Sequence, residues 1–171
     1  MTDAPPRTLD GLPHWENRSH AAAAMLNPAL IAALIAAAAY RHAKHSGELM
    51  PWELSFLVAP MALHGGTRDV VPVRITSNLP RWVQENPVIH AGIGRRAASL
   101  APYVREGLRW GLNSGSLELT DGRLRGTIRD SIPKSNSDEL RSIMATAGFL
   151  GRWFAHVGSV PTVFAVLGVT P

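Results

Sequence analysis

The sequence predicts a mainly α-helical single domain with one small antiparallel β-hairpin, an α+β fold class. Three observations carry this reading. The stretch LNPALIAALIAAAAYRHAKH (Leu26 to His45) is apolar enough for a buried helix. Ile93, Ala97, Leu100, Val104 and Leu108 recur at helical three-to-four spacing, and SGSLELTDGRLRGTIRD alternates apolar and polar residues about an Asp-Gly turn. At 171 residues the chain is long enough to bury a core without disulfide or metal staples.

Residues 1–19 are Pro-rich and polar and read as an extended N-terminal arm with Trp15 as its anchor, leaving 20–171 as one domain. Asn17 or Ser19 is placed to cap a short helix over His20 to Leu26. Asn27-Pro28 then interrupts the apolar run. Proline suits the first helical position and asparagine caps the exposed N–H groups before it. A membrane span needs roughly 20 uninterrupted apolar residues to cross about 30 Å. Ala29 to Tyr40, before Arg41, covers only about 18 Å at helical rise. The stretch therefore reads as a core helix, with Leu30, Ile31, Leu34 and Ile35 on one face and an alanine side that admits another helix, a second subunit's included.

Met50-Pro51 is expected to open a second helix through Met61, broken or kinked at Pro60. His64 to Ser77 reads as a loop with a short extended run, VVPVRI. Leu79 to Asn86 is a further helical piece, and Ile89 to Leu112 is helical, interrupted at Pro102 into two helices or one kinked one. The hairpin falls at about 116–129, turning at Asp121-Gly122. Ser137 caps a final helix to about residue 156, and the tail VPTVFAVLGV reads as a strand or a buried extended plug. Helices followed directly by a hairpin is the order of a winged helix, so the domain is expected to be winged-helix-like.

Composition narrows the chemistry. The chain has no cysteine, which excludes disulfides and thiolate nucleophiles and suits a reducing compartment. No basic stretch followed by an apolar one opens MTDAPPRTLDGLPHW, so no secretory signal is expected, and a cytoplasmic location without membrane contact is the reading. The net charge is +4. Eight Lys/Arg against four Asp/Glu fall between Arg95 and Lys134, so this segment holds the whole excess.

Catalytic constellations are weak. His42 and His45 share a helical face without an HExxH pattern or a nearby acidic ligand, which reads as a solvated helix end whose cations suit the dipole. His90 and His156 stand alone. Gly92-Ile93-Gly94-Arg95-Arg96 lacks both the GK[ST] and the preceding strand of a phosphate loop. No catalytic residue, metal site or cofactor is therefore expected, and the protein reads as non-enzymatic. The better candidates are contacts. Arg123, Arg125 and Arg129 fall on one face of a strand, and Arg105 and Arg109 precede them on the helix. Five guanidiniums suit nucleic-acid phosphates or an acidic protein partner, and equally a solvated edge guarded against strand pairing. Trp82, and Arg152 with Trp153, adjoin arginine and apolar residues in the manner of a semi-exposed protein interface; the other tryptophans read as core.

Five segments, NRSHAAAAMLNPAL, MPWELSFLVAPMALHGGTRDVVP, LPRWVQENP, GLRWGLNSGSLEL and AGFLGRWFAHVGSVPTVFAVLGVTP, are spread along the chain from Asn17 to Pro171. In them the chain resembles the middle component of bacterial three-component ABC systems. The resemblance implies a small adaptor between a chromosome-maintenance-like ABC ATPase and a variable effector, in Lamassu-like conflict with phages or plasmids or in DNA maintenance. It implies partners from the same operon, a homodimer by analogy with small winged-helix proteins of chromosome-maintenance complexes, and DNA contact through the complex. No catalytic residues carry over. The alternative is a free-standing DNA-binding transcriptional regulator, which intrinsic duplex affinity with a steep salt slope would distinguish. Against it, LAPYVREGLRWGLNSG offers few side chains for base edges.

Overall fold

The computed structural model describes residues 11–128 and 137–170. Its elements are α1 (His20–Met25), α2 (Pro28–Ser46), β1 (Met50–Pro51), α3 (Ser55–Leu63), α4 (Gly65–Val70), α5 (Leu79–Glu85), α6 (Pro87–Asn113), β2 (Leu117–Thr120), β3 (Arg123–Gly126), α7 (Asp138–Val157) and α8 (Val160–Val166). Helix α2 is the axis of the domain, with α6, α7, α3 and β3 packed around it. The chain is mainly α with a small antiparallel sheet of order β1-β3-β2.

Local chemistry sets the ends of α2. The Asn27 side chain accepts the Ala29 N–H at 2.8 Å, Pro28 occupies the first turn, and Gly47 closes the helix in the left-handed region at φ +78°. By length and apolar composition the stretch His20–Ser46 satisfies a membrane-crossing helix. The chain divides it at Leu26–Asn27, however, and nine of the 19 residues of α2 are buried by the protein's own elements, which is how a core helix uses its apolar surface.

The alanine side of α2 meets backbone. A Cβ added at Gly126 of β3 would overlap the Ala36 carbonyl, and one added at Gly151 of α7 would overlap the Ala38 carbonyl. Gly107 and Gly111 of α6 face the same helix: a Cβ at Gly107 would lie 2.6 Å from Ile31 Cγ2, and one at Gly111 3.3 Å from Ala32 Cβ. The surface expected to admit a second subunit is thus occupied by the chain's own β3 and α7.

The hairpin forms as expected. Asp121 and Gly122 both adopt positive φ, +49° and +72°, as a two-residue type I′ turn requires. Leu117 and Leu124 are buried and Arg123 and Arg125 exposed. The winged-helix expectation is not confirmed. The hairpin lies on α2 and is completed by β1, through Met50 opposite Leu124 and the Trp52 N–H donating to the Gly122 carbonyl at 3.1 Å.

Several expected boundaries move. Met50-Pro51 forms a strand, and helix α3 starts only at Ser55, running through Pro60 to Leu63. The expected loop after His64 contains α4. Its first turn is capped by His64 Nδ1, which accepts the Thr67 N–H at 3.0 Å, while Arg68 donates back to the Ala62 and Leu63 carbonyls at 3.0 and 2.9 Å. No strand forms over VVPVRI, where Pro72 lacks a ladder donor. At Pro102 the single-helix alternative holds, since α6 continues through it as one element. The tail is a helix: Ser159 caps α8, Pro161 sits in its first turn, and Val163, Phe164 and Leu167 turn inward at helical spacing.

The described part of the arm is held differently from expectation. Trp15 is 46% exposed, whereas Leu12 is buried and the Arg18 side chain is 1% exposed. Arg18 donates to both Glu106 carboxylate oxygens at 2.8 and 2.7 Å and to the Pro13 carbonyl at 3.0 Å, its guanidinium between the Trp15 and Tyr103 rings. The Glu106 hydrogen bond holds the Arg18 pKa above its usual value.

Gly126→Ala and Gly151→Ala should each cost about 1–3 kcal/mol, because the added methyl meets helix backbone that has no rotamer to yield. Gly65→Ala, whose nearest neighbour would be the end of Arg68 at 3.7 Å, should leave stability within about 0.5 kcal/mol. Denaturant unfolding of the three variants checks this.

Candidate functional site

Three segments that are distant in sequence meet around an open apolar groove of about 630 Å³. The turn after β1 and the first turn of α3 place Trp52 and Phe56 on one wall, their rings edge-to-face at 5.7 Å. Successive turns of α6 supply a floor of small residues, Gly94, Ala97, Ala98 and Ala101, ending at Arg105. Phe164 of α8 and the residues after it close the far side, where the Gly168 carbonyl would lie 3.2 Å from a Cβ at Gly94. The volume is that of a site for a drug-sized ligand or a few side chains. Trp52 is 39% exposed, so indole surface is available at the rim. The Arg105 guanidinium stands 5.9 Å from the Phe56 ring centroid, and among the described residues it makes no ion pair.

The predicted contact arginines have different surroundings. Arg105 is at the groove, and Arg109 is exposed one turn further along α6. Arg123 donates to the Glu48 carboxylate at 3.2 Å and to the Leu49 carbonyl at 3.0 Å, and Arg125 lies 3.6 Å from the Glu118 carboxylate. Both hairpin arginines therefore have counter-charges of their own, which lowers the attraction they offer to a phosphate backbone. Arg129 lies outside the described residues.

The tryptophan assignments reverse. Trp82 and Trp153 are 4% and 0% exposed, not semi-exposed. Their rings meet edge-to-face at 5.6 Å, and their indole N–H groups donate to the Val70 and Ser77 carbonyls, each at 2.8 Å. Fully bonded indoles can bury completely, so the neighbouring arginines were no sign of exposure. Arg152 does stay exposed on α7, whereas Trp110 and Trp52, expected in the core, are partly exposed, as Trp15 is.

Sequence reasoning missed the groove as a whole. The signal present was the width of the apolar surface of α6: Gly94, Ala98 and Ala101 lie outside the stripe that packs inward. His42, expected at a solvated helix end, is 6% exposed with Nδ1 donating to the Glu48 carbonyl at 3.1 Å. Burial lowers its pKa below the usual histidine value, outweighing the Glu48 hydrogen bond. Burial, with the nearby Arg96 and Arg68, lowers the pKa of His64 as well.

Both imidazoles are harder to protonate folded than unfolded, so the unfolded chain binds more protons in mild acid. The stability they contribute is present above about pH 6.5, the unfolded value, and is lost as pH falls below it until the folded values are passed. The melting temperature should be lower at pH 5.5 than at pH 7.5. His42→Gln should narrow that difference in paired thermal melts.

Residues 15–171 match the family model described as ABC-three component (ABC-3C) system Middle Component 3. No curated protein and no solved structure matches the chain. Because the match spans nearly the whole sequence, including the groove, the chain belongs to the Middle Component 3 family of ABC-three component systems.

Proposed function

We propose that the protein is the non-enzymatic adaptor of its system, joining an ABC ATPase of the chromosome-maintenance type to an effector from the same operon. The complex acts in the cytoplasm, in anti-phage or anti-plasmid defence or in DNA maintenance. Family membership makes it one component among partners. The observation that carries the adaptor reading is the groove: an open apolar trough with a small-residue floor, aromatic walls and an arginine at one end.

Such a trough fits an amphipathic helix of a partner. Ala98 and Ala101 let a helix backbone approach closely, while its apolar side chains enter between Trp52, Phe56 and Phe164. Arg105, without a carboxylate of its own among the described residues, takes an Asp or Glu from the incoming helix. Aromatic and arginine side chains in such settings dominate binding energy.

The test is co-purification of the tagged protein with its operon neighbours, with and without ATP. The ABC ATPase should co-purify stoichiometrically with the wild type. Ala98→Glu, at an exposed position of α6, fills the groove and repels the partner carboxylate, and should reduce capture at least tenfold; Arg123→Ala with Arg125→Ala should retain it. Absence of any co-purifying ATPase contradicts the adaptor reading. Wild-type capture by Ala98→Glu contradicts the groove as the contact.

A further inference from the structure

Helices α2 and α7 carry a second surface of opposite character. Where they pack, the Gly148 position lies against the stem of Arg41, with a Cβ there 3.2 Å from Arg41 Cγ, and the rings of His45 and His156 are 6.4 Å apart. Residues 148, 152 and 156 share one face of α7, and 41 and 45 share one face of α2. Arg41, His45, Arg152 and His156 thus line a single seam between two helices. Lys44 extends it, and Tyr40 lies beside it with the Arg41 and Lys44 cations 5.9 and 6.0 Å from its ring centroid. All six side chains are exposed.

Among the described residues this charge has no paired carboxylate. Neither α2 nor residues 145–157 of α7 contain Asp or Glu. The carboxylates nearest in sequence are engaged elsewhere: Glu48 with Arg123 at 3.2 Å, Glu139 with Arg68 at 3.3 Å and Asp138 with Arg141. Among the described residues, Arg41, Lys44 and Arg152 make no ion pair. The two C-terminal helix turns favour cations locally, yet both histidines and the lysine are already there, and Arg152 lies more than a turn inside α7.

We infer that this α2–α7 seam is a binding surface for the phosphate backbone of duplex nucleic acid. A protein interface has a desolvated apolar centre inside a polar rim. Here the centre itself is cationic, and Tyr40, 38% exposed, is its one large apolar contribution. That pattern suits a polyanion, for which affinity comes from counterion release and arginine forks meet phosphate oxygens. The close helix packing at Gly148 and Gly151 fixes the two rows of cations on rigid elements. The seam carries no Asn or Gln to read base edges, so the contact is independent of sequence. The hairpin, whose described arginines are paired, is not the surface that provides it.

The test uses the full chain and two fluorescent duplexes of unrelated sequence, about 20 base pairs long, in anisotropy titrations from about 50 to 200 mM salt. The wild type should bind both within twofold of each other, with a log K against log salt slope of about −3 from the three permanent cations. Arg41→Gln, Lys44→Gln and Arg152→Gln combined should weaken binding at least tenfold at the lowest salt and flatten the slope. Arg123→Gln with Arg125→Gln should change affinity less than twofold. Arg152→Glu alone, at an exposed position, is a second probe expected to weaken binding at least threefold. No duplex binding by the wild type overturns the inference. So does wild-type affinity in the triple variant, or binding of poly-glutamate without binding of duplex, which would make the seam a protein contact. None of these outcomes bears on capture of the ATPase through the groove.

Discussion

The structure depends on how closely other backbone approaches α2. Ala36 and Ala38 leave the helix without protruding side chains, and Gly126 and Gly151 remove the Cβ from the strand and helix that face them, so β3 and α7 sit on the helix backbone itself. Dispersion between atoms falls steeply with separation, and protein interiors tolerate little mismatch in volume. An alanine-rich helix contributes little side-chain surface of its own, so close contact is how it becomes the centre of a core. The remaining large side chains, Leu34, Ile35, Leu57, Trp153 and Phe154 among them, fill the space around that axis and are essentially fully buried.

The two candidate surfaces follow from this arrangement. With α6 held against α2 through Gly107 and Gly111, its other side is free to form the floor of the groove. With α7 held through Gly151, the cations of both helices converge along one seam. One surface is mainly apolar, with Arg105 and Glu53 as its charged lining residues, and the other is basic throughout. In a component of a three-component ABC system, that division suits a protein that holds a partner on one side and a polyanion on another.

Signals confined to three or four consecutive residues were legible in the sequence. Asn27-Pro28, Ser137 and Asp121-Gly122 act through their own backbone conformations and caps, and each marks the boundary it was read to mark. What depended on distant partners was not legible. Met50-Pro51 reads as a helix start because the strand it joins lies more than 70 residues away. HGGTRDV has little helical propensity and becomes α4 with a histidine cap and Arg68 tied to the end of α3. The β-branched tail reads as a strand, whereas Ser159 and Pro161 begin a helix. Burial of Trp82 and Trp153 rests on carbonyls of Val70 and Ser77, which no local pattern reveals. The groove likewise draws its walls from three separate segments.

The claim that α2 organises the molecule is most directly tested by native-state hydrogen exchange. If its neighbours lock onto its backbone, the amides of residues 34–39 should exchange only through global unfolding, with free energies that track the stability of the whole domain as denaturant is added. The hairpin turn and the outer turns of α8 should open at lower cost. Exchange of residues 34–39 through a smaller, denaturant-independent opening while α6 and α7 remain protected would contradict the account, since the two helices would then hold together without the helix between them.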